Sequence, residues 1–255
     1  MPYMMTSGQV PLYYEERGTG EPLVFIHGLG LSHINWFDQA HFFMQHYRVI
    51  TYDMRGHGRS GASFYELSID DLTVDLIDLL DHLQIKKVHV CAYSIGTLVA
   101  LNMAITAPKR IGRIVLTGAF HQVNNLFLWS KFIASYMTGT LRMHSFLAKR
   151  VARTNGRNAK QVMQFQLEAL RAERQEVLRM LKACMRFKTK PNQLAQILNP
   201  VLLIYGGYEK YMMAYRHHLL RQLPNVAVCL IPHVNHACPT KALDQYNTIV
   251  SDFLT

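Results

Sequence analysis

Ser94 stands between a strand-like and a helix-like stretch of the sequence, a place where a serine hydroxyl can act as a nucleophile. The apolar, β-branched run 87–92 predicts a buried strand, and the run 97–104 predicts a helix. A sharp turn between them needs small residues two positions before and after the serine. Ala92 and Gly96 meet that need, with alanine where glycine is more common. The pattern favours a nucleophile for acyl transfer, and the alternative is an ordinary strand-to-helix turn.

Two glycine-containing loops precede the serine. The segment 27–30, His-Gly-Leu-Gly, follows one apolar run, and the segment 53–60 follows another. We interpret the glycines of the second loop as turn residues and give Asp53 and His57 no catalytic role. A loop with two histidines follows near the end of the sequence. In this order the motifs resemble the α/β-hydrolase superfamily, in particular its capped, cofactor-free branch of serine esterases, carbon–carbon bond hydrolases and haloperoxidases.

The resemblance implies an oxyanion hole made by two backbone N–H groups. One belongs to Ile95, directly after the serine, and the other to Leu29, in the loop after the first of these strands. Both would donate to the charged oxygen of the tetrahedral intermediate. Relatives with an aspartate nucleophile, such as haloalkane dehalogenases and epoxide hydrolases, are disfavoured because the turn carries Ser94.

A serine hydroxyl needs a base to accept its proton, and the resemblance places that base after the last strand. His236 lies in the loop after the predicted strand 226–231 and is the favoured base. The local alternative is His233, which lies nearer the strand end and is more simply interpreted as a loop residue. The resemblance implies that no metal or organic cofactor is required.

The resemblance also orders the triad as serine, acid and histidine. Between the serine and the base the sequence contains no aspartate, and its glutamates are Glu168, Glu173, Glu176 and Glu209. The first three fall in a helical stretch far from any strand end. Glu209 follows the predicted strand 201–205, where relatives usually carry aspartate, so we expect it to orient the histidine. The alternative is a solvated loop charge beside Lys210.

Apolar runs of strand length alternate with helical stretches along most of the 255 residues. This alternation predicts an α/β fold with a mostly parallel central sheet flanked by helices. One helix is expected over 70–82, with Ser68 as its N-cap and its aspartates facing water. About 80 residues separate two later strands, far more than a crossover needs. The resemblance places a cap in this interval, so we expect a helical cap at 121–198, inserted into a core formed by 1–120 and 199–255.

The segment 121–190 contains 14 Lys and Arg but 3 Glu, a formal net charge of +11, whereas the whole chain carries +10. Such a basic cap would attract anionic substrates, an acidic carrier protein or an acidic membrane surface. The alternative is a well-solvated helical face. The apolar stretch 126–137 would line an acyl pocket, rest on lipid, or form a buried cap helix. Nucleic acid is not expected, since no binding motif accompanies the charge.

The first residues lack the charged start and long apolar run of a signal peptide, and no run of about 18 apolar residues occurs. We therefore expect a cytoplasmic protein. The four cysteines, at positions 91, 184, 229 and 238, show neither zinc-site nor C-x-x-C spacing. We interpret them as reduced thiols and Cys238 as a packing residue.

The sequence predicts a serine hydrolase that cleaves a small-molecule ester with a hydrophobic acyl group, or a thioester, through a Ser-His-Glu triad. Carbon–carbon bond hydrolysis and perhydrolase or haloperoxidase activity use the same triad and stay open as alternatives. A different class, an inactive hydrolase scaffold that binds a ligand, is disfavoured by the complete set Ser94, Glu209 and His236.

Overall fold

The structure, a computed structural model, describes residues 3–63, 65–141 and 143–255. Its strands are β1 (Tyr3–Met5), β2 (Pro11–Arg17), β3 (Glu21–Ile26), β4 (Tyr47–Tyr52), β5 (Val88–Tyr93), β6 (Ile111–Thr117), β7 (Val201–Gly206) and β8 (Val226–Ile231). Its α-helices are α1 (Phe37–Phe43), α2 (Ile69–His82), α3 (Gly96–Thr106), α4 (Leu126–Thr140), α5 (His144–Asn155), α6 (Ala159–Arg171), α7 (Arg174–Arg186), α8 (Met213–Gln222), α9 (Cys238–Lys241) and α10 (Leu243–Leu254).

The strands form one sheet in the order β1-β2-β4-β3-β5-β6-β7-β8. The pairs β1–β2 and β2–β4 are antiparallel, and the remaining neighbours, from β4 to β8, are parallel. Parallel neighbours require crossovers, and α2, α3 and α8 supply those that lead into β5, β6 and β8. The predicted mostly parallel α/β fold is confirmed.

Strand β5 lies in the middle of the sheet and is covered on both faces. Val90 and Ala92 belong to one hydrophobic cluster, whereas Cys91 and Tyr93 belong to the cluster on the opposite face. This alternation follows from the two-residue period of a strand. Because both faces are buried, β5 is apolar except for His89 and forms a rigid base for the turn that follows it.

Helix α2 begins where the sequence predicts. The Ser68 hydroxyl accepts a hydrogen bond from the Asp71 N–H, and the Asp71 carboxylate accepts one from the Ser68 N–H, which together form a capping box. The expectation that the aspartates of this helix face water is wrong for Asp75. That side chain is buried and binds Arg55 through two hydrogen bonds of 2.5 and 2.6 Å. The Arg55–Asp75 pair ties the loop 53–60 to α2.

Four helices, α4 to α7, lie between β6 and β7, within the interval expected to form a cap. We refer to them as the inserted helices. They pack mainly as two pairs, α4 with α7 and α5 with α6. Among the residues described, no helix combines the length and apolar character needed to cross a membrane.

Candidate active site

Ser94 occupies a tight turn between β5 and α3. Its φ of +55° is in the left-handed region, which costs a non-glycine residue of order 1–3 kcal/mol and persists where the surroundings impose it. Here the Ser94 N–H donates to the Thr117 carbonyl of β6 at 2.9 Å. A Cβ on Gly96 would lie 2.7 Å from the His27 carbonyl oxygen, so only glycine lets α3 start this close to β3. The small residue that the sequence pattern requires therefore has a steric reason.

Ser94, His236 and Glu209 form a continuous hydrogen-bonded line. His236 Nε2 lies 2.8 Å from Ser94 Oγ, and His236 Nδ1 hydrogen-bonds to Glu209 Oε1. Because the carboxylate accepts, Nδ1 carries the proton and Nε2 is free to accept the serine proton. The Glu209 side chain is buried, whereas 22% of the His236 side chain is exposed. The three residues thus have the geometry that base-activated serine chemistry requires.

The loops after β7 and β8 approach each other closely enough for a glutamate to reach the histidine. A Cβ on Gly206 would lie 2.2 and 2.3 Å from the carbonyl oxygens of Asn235 and Val234, so glycine is needed at this approach. Glu209 Oε2 accepts the Gly206 N–H at 3.2 Å, and its Oε1 also accepts the Tyr211 hydroxyl at 3.3 Å. These contacts fix the carboxylate with Oε1 towards the imidazole.

The imidazole of His236 is flanked by Gly118, directly after β6, and by Tyr93, the last residue of β5. A Cβ on Gly118, which has φ +61°, would lie 2.4 Å from His236 Cε1. On another side, the ring of Tyr93 lies 5.0 Å from the imidazole ring. The alternative base, His233, is paired instead with the Tyr208 hydroxyl at 2.9 Å. The structure therefore brings His236 to Ser94 and places His233 in a different contact.

The other candidate acids lie in the inserted helices. Glu168 pairs with Arg171 at 3.4 Å, and the buried Glu176 pairs with Arg179. Glu173 is the N-cap residue of α7. Of the four glutamates between the serine and the base, Glu209 is the one that contacts His236.

The backbone of 28–29 passes directly beside the serine. A Cβ on Gly28 would lie 3.2 Å from Ser94 Cβ. The next residue, Leu29, is therefore close to the turn that holds Ser94. Ile95 lies at the start of α3, where N–H groups point out of the helix end. Within the part of the chain that the structure describes, neither the Leu29 nor the Ile95 N–H donates to another group. Both N–H groups are therefore free of acceptors within the described residues.

His27 and Asp53 bind backbone groups of the loops that follow β3 and β4. His27 is completely buried, its Nε2 accepts the Met54 N–H at 2.9 Å, and its Nδ1–H donates to the carbonyl of the next residue. Burial lowers the pKa of His27 to about 3, so the ring is neutral. The buried Asp53 accepts the N–H groups of His33 and Arg59 at 2.6 and 2.9 Å. These bonds agree with the structural interpretation of the loop 53–60.

Two residues at the site were not anticipated from the sequence. The Tyr211 hydroxyl donates to the Glu209 carboxylate, and Lys131 of α4 lies over the Tyr211 ring, 3.7 Å from its centroid. Tyr211 lies two positions after Glu209, so its closeness in the sequence could have indicated this contact. Lys131 is the single charged residue of α4, but nothing local predicts that it meets a residue 80 positions away.

Cys238 lies two positions after His236 but differs from a nucleophile. It is buried, and burial raises the pKa of its thiol well above the ordinary value. A thiol with a raised pKa is a poor source of thiolate. These properties agree with its interpretation as a packing residue.

Comparison with known proteins gives both sequence and structural relatives. A family model described as alpha/beta hydrolase fold matches residues 21–238. The chain is 29% identical over 257 residues to a dihydrolipoyllysine-residue acetyltransferase component of an acetoin cleaving system from Pseudomonas putida, covering 97% of this chain and 67% of that protein. It is 34% identical over 113 residues to an (E)-2-((N-methylformamido)methylene)succinate hydrolase from Acinetobacter baylyi, covering 44% of this chain and 43% of that protein.

The crystal structure of an enol-lactonase from Burkholderia xenovorans superposes with a TM-score of 0.88. The match covers 99% of both chains at 22% identity. At that identity the likeness is one of fold.

Proposed function

The chain belongs to the alpha/beta hydrolase fold family, and from that premise we propose that it is a serine hydrolase that cleaves a carboxylic ester through an acyl-enzyme. The observation that carries the proposal is the line of hydrogen bonds from Glu209 through His236 to Ser94. Beside this turn, the N–H groups of Leu29 and Ile95 donate to no acceptor among the described residues. The name of the structural relative agrees with this choice, since a lactone is a cyclic ester.

In the proposed reaction, Ser94 Oγ attacks the carbonyl carbon of the ester while His236 Nε2 takes the hydroxyl proton. The carbonyl oxygen becomes negatively charged and accepts hydrogen bonds from the N–H groups of Leu29 and Ile95. His236 then gives its proton to the departing alcohol, which leaves the acyl group on the serine. A water molecule repeats the attack with His236 again as the base and releases the acid.

Glu209 has the role of orienting and stabilising the histidine. Its carboxylate keeps the proton on Nδ1 and is opposite in charge to the imidazolium that forms during attack. With one methylene more than aspartate, the Glu209 side chain reaches His236 Nδ1. The contacts from Gly206 and Tyr211 leave the carboxylate little freedom to turn away.

We assign the inserted helices the role of a cap over this site. Val151 of α5 lies against Gly30, the residue after Leu29, 3.4 Å from the position of a Cβ on that glycine. Asn155, at the end of α5, accepts a hydrogen bond from the Tyr93 hydroxyl at 2.8 Å. The inward face of α4 adds Phe132, whose ring lies 6.0 Å from that of Phe120. An apolar inner surface of this kind suits a small ester with a hydrophobic acyl group.

The positive charge of the cap supports a further part of the proposal, which is attraction of anionic partners. Arg150, Arg153 and Lys160 are exposed, and the segment 121–167 contains no acidic residue. A field of one sign raises the local concentration of an anionic substrate, an acidic carrier protein or an acidic membrane surface. Large apolar side chains are also exposed on α4 and α6, namely Leu126, Phe127, Trp129, Met137, Met163, Leu167 and Leu170.

The proposed function is tested by labelling with a fluorophosphonate, which reacts quickly with a base-activated serine. We expect one adduct by intact-mass analysis, absent in Ser94→Ala and retained in Ser130→Ala, an exposed serine of α4. Ser94→Ala should also lose roughly 10⁴–10⁶-fold in kcat on p-nitrophenyl esters. Equal labelling of a folded Ser94→Ala protein, verified by circular dichroism, would refute the assignment.

A further inference from the structure

Lys131 is a half-buried cation set among aromatic rings. Its Nζ lies 3.7 Å from the centroid of the Tyr211 ring and 4.9 Å from that of Phe127, and these two rings are 5.2 Å apart. Cation–π contacts of this kind hold the ammonium in place through the ring faces. They leave its three N–H donors without an acceptor, because a ring face is not a carboxylate or a carbonyl oxygen.

In the described portion of the chain, Lys131 makes neither an ion pair nor a hydrogen bond through its side chain. Glu209 is the nearby acid, but it is already engaged: Oε1 binds His236 and Tyr211, and Oε2 binds the Gly206 N–H. Arg150 is the other charged group that acts on Lys131, and it is also a cation. No acceptor among the described residues contacts the Lys131 ammonium, and the Glu209 carboxylate acts on it only from beyond the Tyr211 ring.

The electrostatic state of Lys131 agrees with that geometry. Burial lowers the pKa of Lys131 below its ordinary value, the charge of Arg150 lowers it further, and Glu209 opposes both. A partly desolvated ammonium with free donors gains most from a bound anion, since charge-assisted hydrogen bonds replace lost hydration.

Lys131 lies near the residues to which we assign the proposed reaction. The Tyr211 ring that supports Lys131 carries the hydroxyl that binds Glu209, so a single tyrosine ring separates the ammonium from the triad acid. We propose that Lys131 forms a carboxylate-binding subsite that selects ester substrates carrying a carboxylate a few bonds from the scissile carbonyl.

This inference rests on the proposed function, and its test compares matched esters. The anionic substrates are the p-nitrophenyl monoesters of succinic, glutaric and adipic acids, and their neutral partners are p-nitrophenyl esters of equal length. A second arm uses 4-carboxyphenyl acetate against phenyl acetate, which places the carboxylate on the alcohol side instead. The measured quantity is the ratio of kcat/KM for each anionic ester to that for its neutral partner.

We expect Lys131→Met to lower that ratio by about 10- to 100-fold in one arm, the loss typical of a charge-assisted hydrogen bond. Lys131→Arg should restore most of it. The matched control is Lys182→Met, because Lys182 also lies over a tyrosine ring, 5.5 Å from that of Tyr136, but is exposed on α7. The control should keep the wild-type ratio.

Failure of the subsite and failure of the hydrolase are separated by a binding measurement. In Ser94→Ala protein, calorimetry with the anionic ester of the arm that responds should give a Kd about tenfold lower than in the Ser94→Ala, Lys131→Met double variant. A wild-type enzyme that hydrolyses the neutral esters but shows ratios insensitive to Lys131→Met in both arms would overturn the subsite alone. Neutral ester hydrolysis that persists in Ser94→Ala would instead overturn the proposed function.

Discussion

The core and the inserted helices differ in how they use charge. In the core, charged side chains around the site are buried and paired, as in Arg55–Asp75, Asp53–His33 and Glu209–His236. In the segment 121–190, a net charge of +11 is carried mostly by exposed arginines and lysines. Outside this segment the sequence has 13 basic and 14 acidic residues and is nearly neutral.

The buried pairs and the exposed charges are suited to different roles, the first to holding side chains in position and the second to attracting charged partners. A buried pair is shielded from salt and fixes the distance between two atoms, so it suits a group that must stay aligned. An exposed charge acts over several ångströms, is screened by salt and contributes little to stability. We therefore expect substitutions in core pairs to cause large losses that do not depend on salt. Substitutions of the exposed charges in the inserted helices should cause small losses that do depend on salt.

Among the paired charges of the core, the largest effect is expected at Glu209. Glu209→Gln should lower kcat by roughly 10²–10⁴-fold at every salt concentration, because the imidazole loses the carboxylate that sets its tautomer and stabilises its charge. Steady-state kinetics on a neutral p-nitrophenyl ester measure this loss. Glu168→Gln, in an inserted helix, is the control and should stay near wild type. Losses at Glu168, Glu173 or Glu176 with none at Glu209 would move the acid to another residue.

The next effect concerns stability. Asp75→Ala leaves the buried Arg55 without its partner, and we expect the free energy of unfolding to fall by about 3–5 kcal/mol. Glu168→Ala removes a pair with Arg171, whose side chain is 55% exposed, and should cost about 1 kcal/mol or less. Urea denaturation followed by circular dichroism gives both values. Equal midpoints for the two variants would show that the contrast between the regions does not extend to stability.

The smallest effect is the response to salt. If the inserted helices attract anionic partners, kcat/KM for an ester presented in anionic vesicles should fall by about tenfold as salt rises to about 0.5 M. A neutral short-chain ester in solution should change little. Glutamine at Arg150, Arg153, Arg157 and Lys160 together should abolish the salt dependence. Identical salt curves for the vesicle and neutral esters would mean that the charge has no partner of this kind.

The features that the sequence predicts correctly are those encoded locally. The turn around Ser94 is specified by two small neighbours, and the start of α2 by the Ser68 hydroxyl. The meeting of Glu209 and His236 follows from topology, since the carboxyl ends of the adjacent parallel strands β7 and β8 lie at one edge of the sheet. Their catalytic roles, and the bounds 121–198 for a cap domain, stay predictions.

Other features depend on contacts that the sequence does not reveal. Asp75 is buried because Arg55 reaches it from a loop, and the helical pattern of α2 carries no sign of this. Lys131 and Tyr211 meet only because α4 packs back towards the loop after β7. Both cases pair a charged side chain with a distant partner, and the pairing reverses the usual preference of that side chain for solvent.

The hydrogen bond between His236 and Ser94 joins residues 142 positions apart, and β3 must be placed between β4 and β5 before the serine turn has a support. Contacts of such sequence separation form slowly, since the entropy of closing long loops is lost before they are made. Local helices can form long before this stage of folding. A refolding chain therefore acquires most of its helical signal before it acquires an aligned serine, and hydrolytic activity reports the completed assembly of the sheet.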